Sequence, residues 1–158
     1  MKLTIVLMIS FAFCISDPIK VKIVSKVDPK KYLSLFSGEV RLATKKKIKD
    51  NKGCSKFIVD EVRTEILQGN RRLCRKFGFS KVMSCNHESK NSIWEVIISK
   101  GSRFVSFKME GENQCLTANG PESADLLGDI LSMGECDDGL DTQKFWIKLI
   151  VDRKAKAT

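Results

Sequence analysis

The sequence predicts an all-β chain, and two observations carry that prediction. Apolar and polar residues alternate in six short runs, IKVKIVSKV (19–27), KFIVDEV (56–62), IWEVIIS (93–99), SRFVSFKM (102–109), GDILSM (128–133) and KFWIKLIV (144–151), with turn-forming residues between them. Period-two alternation places one set of side chains on one face of a strand, and many such runs at short spacing describe a barrel or sandwich. Helical periodicity, in contrast, is scarce. The best window, EVRTEILQ (61–68), reads equally well as two strands meeting at Gln68-Gly69.

The first sixteen residues stand apart. MKLTIVLMISFAFCIS has Lys2, an apolar run from Leu3 to Ile15 and then Asp17-Pro18, which is the layout of a secretory signal peptide cut after Ser16. The run is shorter than the roughly 20 residues that span a bilayer, and no second apolar stretch approaches that length, so no transmembrane segment is expected after cleavage. The remainder, 17–158, reads as one domain without a low-complexity linker. Cleavage removes Lys2 and Cys14 and leaves 27 basic against 19 acidic residues, a net charge of +8, with five cysteines. An extracellular or wall location follows. No Asn-x-Ser/Thr acceptor is present, since Asn91 precedes Ser-Ile and Asn119 precedes Gly-Pro.

Within the domain three segments end alike, in Phe57-x-Val59, Trp94-x-Val96-x-Ile98 and Phe145-x-Ile147-x-Leu149. A cysteine stands nine residues before the second and third aromatics, Cys85 and Cys136. Further upstream a second cysteine follows a glycine, in GNRRLC (69–74) and GENQC (111–115); the first segment has GEVRLA (38–43), with Leu42 in the cysteine's place. Three units of this kind, about 20–62, 63–102 and 103–151, are the mark of a pseudo-threefold β-trefoil.

The third unit, GENQCLTANGPESADLLGDILSMGECDDGLDTQKFWI, resembles the repeat of ricin B-type lectins: a Gly-x-Cys-Leu opening, a central strand ending in Cys, and a Gln-x-Trp closing. Gln143-Lys144-Phe145 matches the closing with Phe for Trp, and Asn91-Ser92-Ile93-Trp94 matches it with Ser for Gln. The resemblance is fullest over 103–150, weaker over 66–99 and weakest over 20–62. A small basic secreted chain with degenerate repeats is similar to the ricin-B-lectin-like proteins of microsporidian parasites.

The resemblance implies disulfides between Cys74 and Cys85 and between Cys115 and Cys136, which leaves Cys54 either buried and reduced or bonded to another chain. It also implies carbohydrate binding. In the family an Asp two residues after the opening Cys accepts hydrogen bonds from sugar hydroxyls, an aromatic stacks on the ring, and an Asn beside the closing Gln completes the polar contacts. Here the Asp position holds Thr117 in the third unit and Lys76 in the second, the Asn position holds Thr142 and Asn91, and Met133-Gly134-Glu135 stands where an aromatic would precede Cys136. The third unit supplies the best remaining polar groups: Thr117, Asn119, Asp141 and Gln143. If Phe145, Ile147 and Leu149 face inward, Trp146 faces out and can stack on a sugar or cover the barrel edge.

No metal, cofactor or catalytic set is expected. There is no Cys-x-x-Cys, the one histidine is His87, two residues after Cys85, and nothing orients it as a base. Charge suggests a second binding mode. Lys45, Lys46, Lys47 and Lys49, with Arg71 and Arg72, form clusters that attract sulfated polysaccharide by counterion release, and an expected secreted location argues against nucleic acid. The function expected is non-catalytic recognition of glycans on a cell surface or extracellular wall. The alternatives are assembly with extracellular coat proteins, with Cys54 and Trp146 as contacts, or sulfated-glycan binding without a sugar pocket.

Overall fold

The computed structural model describes residues 19–60, 65–76, 78–87 and 90–151. The expected leader, 1–16, lies outside them. The chain forms strands β1 (Lys20–Ser25), β2 (Lys31–Phe36), β3 (Glu39–Thr44), β4 (Phe57–Asp60), β5 (Glu65–Gln68), β6 (Arg71–Arg75), β7 (Val82–Cys85), β8 (Trp94–Ile98), β9 (Val105–Met109), β10 (Gln114–Ala118), β11 (Asp129–Glu135) and β12 (Phe145–Leu149), of which the six alternating runs supply β1, β4, β8, β9, β11 and β12. Three successive groups of four repeat one plan. The outer two strands of each group enter a closed barrel, β1, β4, β5, β8, β9 and β12. The inner two form a hairpin across its end.

Ladders join β12 to β1, β1 to β4, β4 to β5, β8 to β9 and β9 to β12. Between β5 and β8 a side chain makes the link: Ser92 Oγ, just ahead of β8, donates to Glu65 Oε1 at 3.3 Å. The hairpins also pair with one another. Asp129 faces Leu42 and Glu39 faces Met83 in register, while a single bridge joins Lys81 to Ser132.

Inward positions of the barrel strands, Ile23, Phe57, Ile66, Trp94, Phe107 and Phe145, meet Leu33, Leu42, Leu73, Leu116 and Leu131 from the hairpins in one core. Phe107 and Phe145 pack with ring centroids 5.7 Å apart. Each large apolar side chain so buried contributes about 1.5–3 kcal/mol. Trp94 is fully buried and its Nε1 donates to Leu73 O at 3.0 Å, so the indole carries no unsatisfied donor inside.

One sequence reading needs correction. GEVRLA does not open the second strand of its unit as GNRRLC and GENQC do; it opens the third, β3. Ser37 and Gly38 have φ of 39° and 97°, which fits a two-residue hairpin turn between β2 and β3, so this glycine marks a turn and Leu42 is not the counterpart of Cys74 or Cys115. The lysine cluster after β3 forms a helical turn, α1 (Lys45–Asp50). Thr44 starts it by accepting from Lys47 N–H, and Asn51 N–H closes it on Lys47 O. In the EVRTEILQ window the described part, Glu65–Gln68, is strand, leading through a turn at Gly69 into β6.

Candidate functional site

The third hairpin holds most of the sugar candidates. Cys115 bonds Cys136 across its ends, and Cys74 bonds Cys85 in the second hairpin. Gln143, buried at the end of a 3-10 turn (Asp141–Gln143), accepts from Asp137 N–H at 2.9 Å and donates to Glu135 O at 2.8 Å and Thr117 Oγ1 at 3.1 Å. Thr117 donates in turn to Cys115 O at 3.0 Å. A Cβ at Gly134 would sit 2.9 Å from Thr117 Oγ1, so Gly134 packs directly on this pair and leaves no place for an aromatic ring.

Thr117 and Gln143 therefore lock their own hairpin instead of facing a ligand. Asn119 is exposed and accepts from Ser132 Oγ at 2.7 Å, and exposed Asp141 pairs with Lys26 Nζ at 2.7 Å. Among the described residues no hydrogen bond joins either of them to the Thr117–Gln143 pair. In the second unit the Arg75 guanidinium, one residue after Cys74, pairs with Glu112, with Nη2 at 2.8 Å from Oε1, and also reaches Asn91 Oδ1 at 3.3 Å.

A different hollow lies between the first and third units. A cleft of about 240 Å³ there has a largely apolar wall that includes Val27, Leu42 and Pro121, with Asp28, Lys31, Asp129 and Thr142 as its polar groups. Lys31 Nζ stands 2.6 Å from Asp129 Oδ2 and 3.7 Å from Asp28 Oδ2. Thr142, at the position the lectin resemblance gives to Asn, borders it. Asp28 and Asp129 were missed by sequence reading, and Lys31 was noticed only as one of a basic pair with Lys30; Asp28-Pro29 announces only a turn, and the pairing of β3 with β11 brings Lys31 and Asp129 together. A second, more open hollow of about 410 Å³ between the second and third hairpins is bordered by Arg75, Phe79, Ser80 and Gln114. Exposed Phe79 carries the Lys76 ammonium 4.7 Å above its ring.

Of the basic candidates, Lys45, Lys46, Lys47 and Lys49 all lie on α1, and Lys47 Nζ donates to Asp125 O at 3.0 Å. Arg72 is not available to a polyanion. Its Nε donates to buried Glu65 at 2.7 Å and its Nη1 to Asn86 O at 3.1 Å, so it neutralises a carboxylate in the barrel wall. Arg71 lies at the mouth of a small hollow with Leu35, Val40 and Phe57. Cys54 is a free, half-buried thiol whose backbone bridges to Leu35. Trp146 is half-buried on the outer side of β12, with the Arg103 guanidinium 4.3 Å and the Lys148 ammonium 5.4 Å from its ring centre. Among the described residues no three His, Cys, Asp or Glu side chains gather as a metal ion requires.

Among the described residues the one clear shift in acidity is at Asp125. The Arg41 guanidinium hydrogen-bonded to it holds its carboxyl below the usual carboxylate range; partial burial works the other way, and the N–H groups of Leu127 and Gly128 add to the lowering.

No protein-family model and no curated protein matches the sequence. Solved structures do match. A ricin B-like lectin of Macrolepiota procera in complex with lactose superposes with a TM-score of 0.64 at 11% identity, over 85% of this chain and 97% of the lectin. A designed three-fold symmetric protein, ThreeFoil, gives 0.65 at 13% identity, over 82% of this chain and 97% of the design. A mosquitocidal holotoxin gives 0.65 at 16% identity over 82% of this chain, which spans only 16% of the toxin. With the three four-strand groups, the closed barrel and the hairpin cap, these likenesses establish that the chain has the ricin B-type β-trefoil fold.

Proposed function

We propose that the protein is a secreted, non-catalytic carbohydrate-binding module that recognises glycans of a cell surface or extracellular wall. The cleft between the first and third units carries this reading. Asp28 and Asp129 present carboxylate acceptors, Lys31 a donor and Thr142 a hydroxyl, the mixture that neutral sugar hydroxyls require, on a fold whose Macrolepiota procera counterpart was solved with lactose. The cleft replaces the third-unit pocket read from sequence, which Thr117, Gln143 and Gly134 fill.

A glycan array with the oxidised chain 17–158, run at low and at physiological salt, tests the reading. Binding to a defined neutral sugar that survives salt and is lost in Asp28→Ala supports it; an array without any neutral-sugar signal rejects it. A second reading, assembly into an extracellular coat, draws on the free Cys54 thiol. It requires a disulfide-linked species on a non-reducing gel that Cys54→Ser removes.

A further inference from the structure

The outer wall of β1 and β12 carries an arrangement that the sugar cleft does not use. Lys22 and Lys148 are direct partners in the β1–β12 register, so two ammonium side chains stand opposite one another on one face. Like charges in that relation repel. One row along, Tyr32, Val24 and Trp146 lie side by side across β2, β1 and β12, with Val24 buried between the two rings.

Cations cover these rings. Lys22 and Lys45 stand 5.5 Å and 5.9 Å from the Tyr32 centroid, and Arg103 and Lys148 stand 4.3 Å and 5.4 Å from that of Trp146. Arg103 also lies 5.5 Å from the Phe104 ring, whose other neighbour, Lys26, is 5.1 Å away. Lys26 has a carboxylate partner in Asp141. Among the described residues Lys22, Lys45, Arg103 and Lys148 have none. Each aromatic contact restrains a long side chain that would otherwise sample many rotamers, so part of the ordering cost of binding an anion is already met. The stacked Arg103 guanidinium in addition holds a planar fork suited to two oxygens of one anionic group.

We infer that this wall binds a linear sulfated polysaccharide, with Lys22, Lys45, Arg103 and Lys148 pairing its sulfates. Lys22 and Lys148 stand on neighbouring strands about 4.8 Å apart, with Lys45 of α1 at the Tyr32 side and Arg103, ahead of β9, at the Trp146 side, so the groups form a band and not a pocket, which suits a chain better than a small anion. The ring faces are occupied by cations, so bases have no free platform to stack on, as single-stranded nucleic acid would require. Val24 is buried and offers nothing to insert into a lipid surface. The sulfates relieve the Lys22–Lys148 repulsion, which ties the strained element to the ligand.

The inference stands apart from the neutral-sugar cleft, and either can fail alone. The test is heparin binding by the oxidised chain 17–158 across a salt series, comparing a triple variant Lys22→Ser, Lys148→Ser, Arg103→Ser with a control of equal charge loss at exposed lysines elsewhere, Lys56→Ser, Lys81→Ser, Lys90→Ser. The wall variant is expected to lose about tenfold or more in affinity and to show a shallower salt slope, with the control within about threefold of the parent. Lys22→Arg with Lys148→Arg keeps the charge and is expected to keep the binding, and thermal unfolding of each variant separates lost contacts from lost fold. Equal losses in wall variant and control, unchanged binding by the wall variant, or equal competition by desulfated heparin or by a DNA duplex of matched charge overturns the inference.

Discussion

Arg41 of the first hairpin donates through Nε at 3.0 Å and Nη2 at 2.8 Å to a single carboxylate oxygen of Asp125, on the loop of the third. Arg41 is itself buried and spends a further N–H on Val40 O at 3.0 Å. The contact ties the two hairpins where β3 and β11 pair, and it has a pH signature.

Because the folded-state acidity of Asp125 lies below its unfolded value, the contribution is complete above the unfolded value and fades as pH falls through the folded one. Because the Asp125 side chain is more than a third exposed and its pairing is screened by solvent, Asp125→Asn is expected to lose only about 0.5–1 kcal/mol at neutral pH, and the gap to the parent is expected to narrow below about pH 4. Urea unfolding at pH 7 and pH 3 measures both. A gap that is constant over this range contradicts the assignment.

Gln143→Ala removes three hydrogen bonds at a buried position and is expected to cost about 2–3 kcal/mol in chemical unfolding. Neutral-sugar binding by the refolded variant is expected to persist, because Gln143 serves the hairpin and not the cleft.

Gly128 has φ of 135°, and a Cβ there would lie 2.3 Å from Leu42 O, inside the contact of the first and third hairpins. Gly128→Ala therefore combines a disallowed backbone with a backbone clash and is expected to cost about 3 kcal/mol or more, read as a fall in Tm with loss of near-ultraviolet circular dichroism.

Replacing Cys115 and Cys136 together by Ser opens a link of sequence separation 21. Chain-entropy reasoning gives a loss of about 3 kcal/mol, measurable as a lower urea midpoint than that of the oxidised parent.

Six strands were legible because alternation is a local signal, and Phe145 fell on the inward face expected of it, with Ile147 partly buried beside it; Leu149, expected inward as well, is exposed at the end of β12, where the barrel core no longer covers it. The third unit was legible because cysteines, glutamine and aromatic recur at fixed offsets. Gly38 misled for a local reason too: a turn glycine looks the same before a second strand as before a third. Helix α1 was hidden because KKKIKD offers one apolar side chain in a turn set by the Thr44 cap. The site was legible only as residues. That Thr117 and Gln143 bind each other depends on the folding back of the third unit, that Asp129 meets Lys31 on the pairing of the first and third hairpins, and that Lys22 faces Lys148 on the closing of the barrel between its first and last strands, none of which a local pattern encodes.

The three closing segments carry different residues two positions before the aromatic: Gln143, Ser92 and Ser55. Gln143 hydrogen-bonds its hairpin, which a disulfide also closes; the second hairpin has a disulfide together with the Trp94–Leu73 hydrogen bond; the first hairpin has no disulfide. The chain thus holds one architectural part with covalent fastening in two of its three copies. A reductant acts on these unequally: it takes nothing covalent from the first part and one link each from the second and third, so the threefold body loosens on two sides and not on the third.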